Sequence, residues 1–306
     1  MTLSLRPGWW YKKGAMKRRL PFLILLFVMV LGVSCSKKEE QTTAPVNTAD
    51  QGPPKPKPGD MVLIPAGEFT MGNDKDKFAS PAHKVNLPAY YIDAYEVTYL
   101  QWIQFLTESQ YPAESQWERY FGVGKEEYPV ANITLDDAKA YAQWAGKRIP
   151  TEAEWEKAAR GTEGFLYPWG NTWDPTKSNC GEYGQANTVP VGQMYLDKSP
   201  YGVYDMMGNV QEWTSDVFKP YPGNKKDDPA YHISPPYYAV RGGSYVMWPS
   251  RGGGMFTYTR GAYVAKSQFG LGFRCAKDGE APKTTSLERV TRQLALLTPD
   301  LDLKLN

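Results

Sequence analysis

An irregular α+β domain with little regular secondary structure is the architecture to expect from this chain of 306 residues. Turn formers and large flat side chains abound together, with 28 Gly and 25 Pro beside 21 Tyr, 11 Phe and 10 Trp. Such a composition favours short elements and ordered loops pinned by aromatic packing. Few stretches combine a helical period with capping residues, whereas short apolar runs bounded by turn residues recur. No internal repeat runs through the chain.

The first segment, residues 1–35, reads as an export signal. Met16-Lys17-Arg18-Arg19 is basic, Leu20 to Leu31 is apolar except for Pro21, and Gly32-Val33-Ser34 leads to Cys35. The run is too short to span a bilayer, and its layout is that of a bacterial leader with Met16 as the expected start. Small residues before a cysteine resemble a lipoprotein box, which makes Cys35 the expected lipidation site. Gly32 stands where an aliphatic residue is usual, with Leu31 one step further out. Ser36, rather than Asp, after that cysteine suggests the outer membrane. The localisation to expect is therefore the bacterial cell envelope, with a lipid anchor in its membrane. Residues 36–60 are polar and Pro-rich without apolar periodicity, a tether reaching about 3 Å per extended residue.

A single domain is expected over 61–278. Met61 to Pro65 reads as a strand, and Gly67 to Gly72 as a hairpin turn with its return strand. Tyr90 to Val97 reads as another strand. Thr98 with Gln101 forms a capping box ahead of Trp102, Phe105 and Leu106 on one helical face. Thr134 opens a second helix with Ala138, Tyr141, Ala142 and Ala145 inward, closed by Gly146. Thr151 with Glu154 is a second capping box, followed by Trp155, Ala158 and Ala159 and ended by Gly161. From Tyr167-Pro168-Trp169 onward turns dominate. Residues 279–306 form a tail in which Thr285 and Glu288 cap a short helix bearing Leu287, Val290, Leu294 and Leu297 on one side.

A net charge of +2 argues for no nucleic-acid partner. Outside the leader, Cys180 and Cys275 are the one pair that could bridge in the mature chain, and an oxidising compartment permits it. Arg241, Arg260 and Arg274 are expected to pair with buried acids or backbone carbonyls. Ser244 has neither a neighbouring histidine base nor a nucleophile elbow, so serine hydrolysis is not supported.

Several phrases then occur in a telling order. They are Met61-Val62-Leu63-Ile64-Pro65-Ala66-Gly67-Glu68-Phe69, Arg148-Ile149-Pro150-Thr151-Glu152-Ala153-Glu154-Trp155, Gly202-Val203-Tyr204-Asp205-Met206-Met207-Gly208-Asn209-Val210-Gln211-Glu212-Trp213, Arg241-Gly242-Gly243-Ser244 and Gly270-Leu271-Gly272-Phe273-Arg274-Cys275. Together they resemble the formylglycine-generating enzyme, or sulfatase-modifying factor, family over nearly all of 61–278. The resemblance implies a C-type-lectin-like α+β fold. It also implies a copper ion held by two cysteines that follow the Gly-Gly-Ser motif. Counting from Ser244, those positions fall at Met247 and Gly252, and a neighbouring histidine position falls at Trp248. A thioether and a glycine cannot replace two thiolates, so neither copper nor iron is expected. An iron site of three histidines, as in another branch of the family, is out of reach of a chain whose only histidines are His83 and His232.

The resemblance further implies structural calcium at Asp205, Gly208, Val210 and Glu212, two carboxylates flanking two carbonyls. Asp205 stands where many members carry an amide. A second family site matches Asn179-Cys180, but its loop is shorter here and leaves Glu182 as the one acid to hand. The family disulfide from the position of Cys275 is lost because its partner position is Ala159. The function to expect is a largely non-catalytic one: recognition of a protein, a peptide or a glycan by Ser244, Tyr245, Trp248, Phe256 and Tyr258. A residual enzyme that matures another exported protein, and a structural subunit contacting its partner through the tail helix, remain alternatives.

Overall fold

The computed structural model describes residues 55–251 and 254–279. Cys35, the leader, most of the tether, Gly252 and the tail helix lie outside the described residues. Three short helices and nine short strands among the described residues form a mixed α+β fold. No helix among them is long and apolar enough to cross a membrane.

Helix α1 (Tyr99–Ser109) starts where its capping box says it should. Thr98 Oγ1 accepts from the Gln101 N–H, and the Gln101 side chain accepts from the Thr98 N–H at 2.9 Å. Its inward face is Tyr99, Trp102 and Phe105. Helix α2 (Leu135–Trp144) is capped by Thr134 and buries Leu135, Ala138, Tyr141 and Ala142. Helix α3 (Glu152–Arg160) has a complete Thr151/Glu154 box and buries nearly its whole surface, charged residues included.

Strand β1 (Met61–Ile64) pairs antiparallel with β4 (Tyr90–Asp93), which also pairs with β9 (Ala276–Asp278), so the two ends of the domain share one sheet. The expected hairpin between Met61–Pro65 and Gly67–Gly72 does not form. Instead β2 (Gly67–Met71) pairs with β3 (His83–Leu87). The reason is tertiary. Gly67 turns the chain at φ +135°, and Lys157 of α3 clamps the corner by donating to Pro65 O at 2.7 Å and Gly67 O at 2.9 Å. The remaining sheet runs β7 (Gly261–Tyr263), β6 (Tyr238–Arg241), β5 (Gln211–Val217), β8 (Leu271–Gly272), with β5 and β8 parallel.

The main core joins α1, α2 and this sheet through Trp102, Tyr141, Trp213, Leu271 and Phe273. Three arginine–glutamate pairs stitch the layers, as expected of those arginines. Arg241 binds Glu156, Arg260 binds both oxygens of Glu152 at 2.7 and 2.8 Å, and Arg274 binds both oxygens of Glu212 at 2.7 Å. Removing one partner of such a buried pair strands the other charge in a medium that solvates it poorly.

The Cys180–Cys275 bridge does not form; both thiols are free and buried. They sit in different core clusters. Cys275 lies with Trp102, Tyr141 and Phe273, and Cys180 lies with Tyr167, Met207 and Met255.

Candidate functional site

The Gly-Asn turn that precedes β5 is the hub of this region. Asp205 and Asn209 both take left-handed backbone at φ 55° and 59°, which short polar side chains tolerate best. Gly208 has φ +155°, and a Cβ there would meet Asn179 O at 2.5 Å. Asn209 then ties three segments together. Its N–H donates to Asn179 O, its Oδ1 accepts from Val189 N and Asn179 Nδ2, and its carbonyl accepts from Tyr245 N. The sequence marked this turn, but nothing in it marked Asn209 as the residue that seats Tyr245.

Beyond Tyr245 the chain folds down onto the Asn179–Gly181 stretch. Met247 N donates to Ser244 O, and Gly181 N donates to Met247 O at 2.8 Å. Trp248, 41% exposed, lies against Gly181, where any Cβ would strike its indole. Met247 packs toward the cluster of Tyr167, Cys180, Met207 and Met255.

The five expected recognition residues do not line one groove. Ser244 and Tyr245 are buried, Trp248 is on the Gly181 flank, and Tyr258 is buried while Phe256 stacks on it at 4.9 Å. Phe256 also meets Tyr167 at 5.5 Å, which carries it and Tyr258 into the core beside the Tyr167–Trp169 turn. Burial of aromatic area outweighs an open groove here.

What the structure does place beside Tyr245 is a small cavity of about 20 Å³, lined among others by Tyr99, Tyr120, Lys125, Asn132 and Phe269. The Ser244 side chain lies 3.7 Å from the Cβ position of Gly270, another lining residue. Phe269, 53% exposed, meets Tyr120 at 5.6 Å and Tyr245 at 5.8 Å, both edge to face. Asn132, Tyr120, Lys125 and Phe269 carry no motif, and only their assembly in space reveals them.

Of the four residues matched to calcium, Glu212 already has a cation beside it. Both Glu212 oxygens are held by Arg274, and Oε2 also accepts from Trp155 Nε1 at 2.8 Å. A guanidinium at that carboxylate repels a second cation. Asp205 keeps Oδ1 unpartnered, but Oδ2 accepts from Gly192 N at 2.5 Å. Among the described residues no three His, Cys, Asp or Glu side chains form a group able to hold a metal ion. Glu182 is engaged by Trp173 and Ser250. Each histidine has its own partner, His83 with Pro81 O and His232 with Asp227.

Electrostatically the turn is strained by acids. Glu96, Asp197 and Asp205 are all buried, and both Glu96 oxygens and one oxygen of each aspartate lack a partner. Burial, reinforced by mutual repulsion, pushes Glu96 and Asp197 well above the usual carboxylate range, and burial pushes Asp205 up to about 6. Arg274 opposes this from the Glu212 side. Burial likewise pushes both thiols, Cys180 and Cys275, upward, away from the reactive thiolate.

Comparison with known proteins adds to this geometry. A family model described as sulfatase-modifying factor enzyme 1-like domain matches residues 47–279. The formylglycine-generating enzyme of Bos taurus is 32% identical over 295 residues, covering 74% of this chain and 76% of its own length. The inactive C-alpha-formylglycine-generating enzyme 2 of Mus musculus is 28% identical, covering 73% of this chain and 87% of its own. Among solved structures, PvdO from Pseudomonas aeruginosa superposes with a TM-score of 0.60 at 26% identity, over 72% of this chain and 94% of its own.

Proposed function

Because this chain belongs to the sulfatase-modifying factor enzyme 1-like family, we propose that it uses the family scaffold to hold a protein or peptide partner without oxidising it. We place it as a lipid-anchored protein of the bacterial cell envelope, tethered through Cys35. One observation carries the non-catalytic half. The Gly-Gly-Ser motif ending at Ser244 is intact, yet the positions that a copper-holding pair of cysteines would fill are Met247 and Gly252. A site built on two thiolates cannot hold its soft cation through one thioether and a glycine. The thiols among the described residues, Cys180 and Cys275, are buried in apolar surroundings that disfavour the thiolate. A relative named as inactive, in the mouse, is a precedent for the scaffold outliving its chemistry. The exposed rings of Trp248 and Phe269, near buried Ser244 and Tyr245, offer the partner an aromatic surface. The partner surface does not depend on the calcium expected at Asp205, Gly208, Val210 and Glu212.

Two experiments test it. The full chain, supplied with copper, oxygen and a cysteine-bearing sulfatase peptide, is expected to form no aldehyde. Catalytic turnover to the aldehyde would favour a residual enzyme and end the non-catalytic reading. Metabolic labelling with palmitate is expected to mark the wild-type protein and to be lost in Cys35→Ser; labelling of both, or of neither, removes the anchor.

A further inference from the structure

The cavity beside Tyr245 contains a donor with nothing to donate to. Asn132 is 4% exposed, and its backbone is held left-handed at φ 59°. Its carbonyl accepts from Ser267 Oγ and its Oδ1 accepts from Gly270 N at 3.2 Å. Those bonds fix the orientation of the carboxamide and leave Nδ2 buried with no partner. An unsatisfied buried N–H group carries a desolvation penalty, which is recovered when an acceptor arrives.

Lys125 lines the same cavity. One of its protons goes to Tyr120 O at 3.1 Å, and an ammonium has two more to give. No acid among the described residues pairs with it, and no carboxylate lines the cavity. The opening of about 20 Å³ accommodates one or two water-sized oxygens. Tyr120, Phe269 and Tyr245 form an edge-to-face row beside it, with Phe269 reaching solvent. The cavity thus has the size of a carboxylate head, offers an amide donor and a cation, and has rings to cover the chain carrying that head.

We propose that Asn132 and Lys125 form a carboxylate-binding pocket, which takes either the C-terminal carboxylate or an acidic side chain of the bound peptide. This rests on the peptide-binding reading above and names the chemistry that it recognises. Asn132 Nδ2 donates to one carboxylate oxygen, Lys125 Nζ pairs with the charge, and the aromatic row packs on the adjoining methylenes.

The test uses the full chain in detergent, labelled with 15N-asparagine, and follows the Asn132 side-chain amide signals. N-acetylglycine and N-acetylaspartate amide present the two sources of carboxylate, and N-acetylglycinamide is the neutral control. At constant ionic strength at least one carboxylate is expected to shift these signals with a Kd about tenfold or more below that of the control. Which one does so identifies the source. Binding to the variants is read by titration calorimetry, because Asn132→Asp has no side-chain amide to follow. Asn132→Asp tolerates the same backbone and keeps an acceptor for Gly270, and it is expected to weaken binding about tenfold; Lys125→Gln is expected to weaken it similarly. A wild-type melting temperature in each variant verifies the fold. Equal shifts by carboxylate and amide, no shift by either, or undiminished binding in both variants overturns the proposal and leaves a structural water site. A photo-crosslinker at Phe269 separates this from the broader reading. Crosslinking to a protein in the envelope, absent from a control at Leu63, with no carboxylate response, ends the pocket and keeps the partner surface.

Discussion

Asp205 illustrates how much one side chain can weigh in a buried turn. Its folded pKa is about 6, while an unfolded aspartate titrates near ~3.9. As pH rises the unfolded chain loses this proton first, so the folded state binds more protons between those values. The stability that the neutral carboxyl contributes is therefore fully present below pH ~4 and is lost as pH climbs through about 6. Glu96 and Asp197 shift in the same direction, whereas Arg274 on Glu212 works against them. Asp205→Asn preserves the left-handed backbone and an acceptor for Gly192. Measured in the presence of a chelator, the variant is expected to match the wild type near pH 4. It should become more stable than the wild type by on the order of 2–3 kcal/mol above pH 6. A stability difference that stays constant with pH would show that Asp205 titrates normally.

Helix α3 is the element on which the layers turn. It supplies Lys157 to the β1–β2 corner, Glu152 to Arg260 and Glu156 to Arg241, while Trp155 donates to Glu212. Its start depends on a local cap, so Thr151→Ala should cost about 1 kcal/mol in denaturant unfolding. The Arg274–Glu212 pair beside it is buried on both sides. Arg274→Met leaves Glu212 without its cation and should cost about 3–5 kcal/mol, far more than the cap. The double variant Arg274→Met/Glu212→Gln should recover a substantial part of that loss, because the stranded charge is gone. A double variant no more stable than the single one would mean that lost packing, rather than lost charge compensation, sets the cost.

For the whole molecule, Glu212 is paired with Arg274 within the motif to which calcium is matched. Adding millimolar calcium is expected to leave the melting temperature unchanged, and a rise of several degrees would restore the four-ligand cage. The α+β class and the three helices were legible in the residues themselves, because a cap and its helix lie three residues apart and a 3.6-residue apolar period is a local property. The family was legible too, from motifs spread over most of the domain. The partners of Arg241, Arg260 and Arg274 were not, since Glu156, Glu152 and Glu212 lie 62 to 108 positions away. The same distance hid the β1–β2 corner, where Lys157 reaches back 92 positions to Pro65. It also hid the separation of Cys180 from Cys275. Chain order thus set the local elements and put Met247 and Gly252 where the family resemblance implies copper-holding cysteines. Three-dimensional packing alone sent Phe256 and Tyr258 inward, gave Glu212 to Arg274 and left Asn132 with a free donor, because burial and charge pairing act between segments that meet only once the chain has folded.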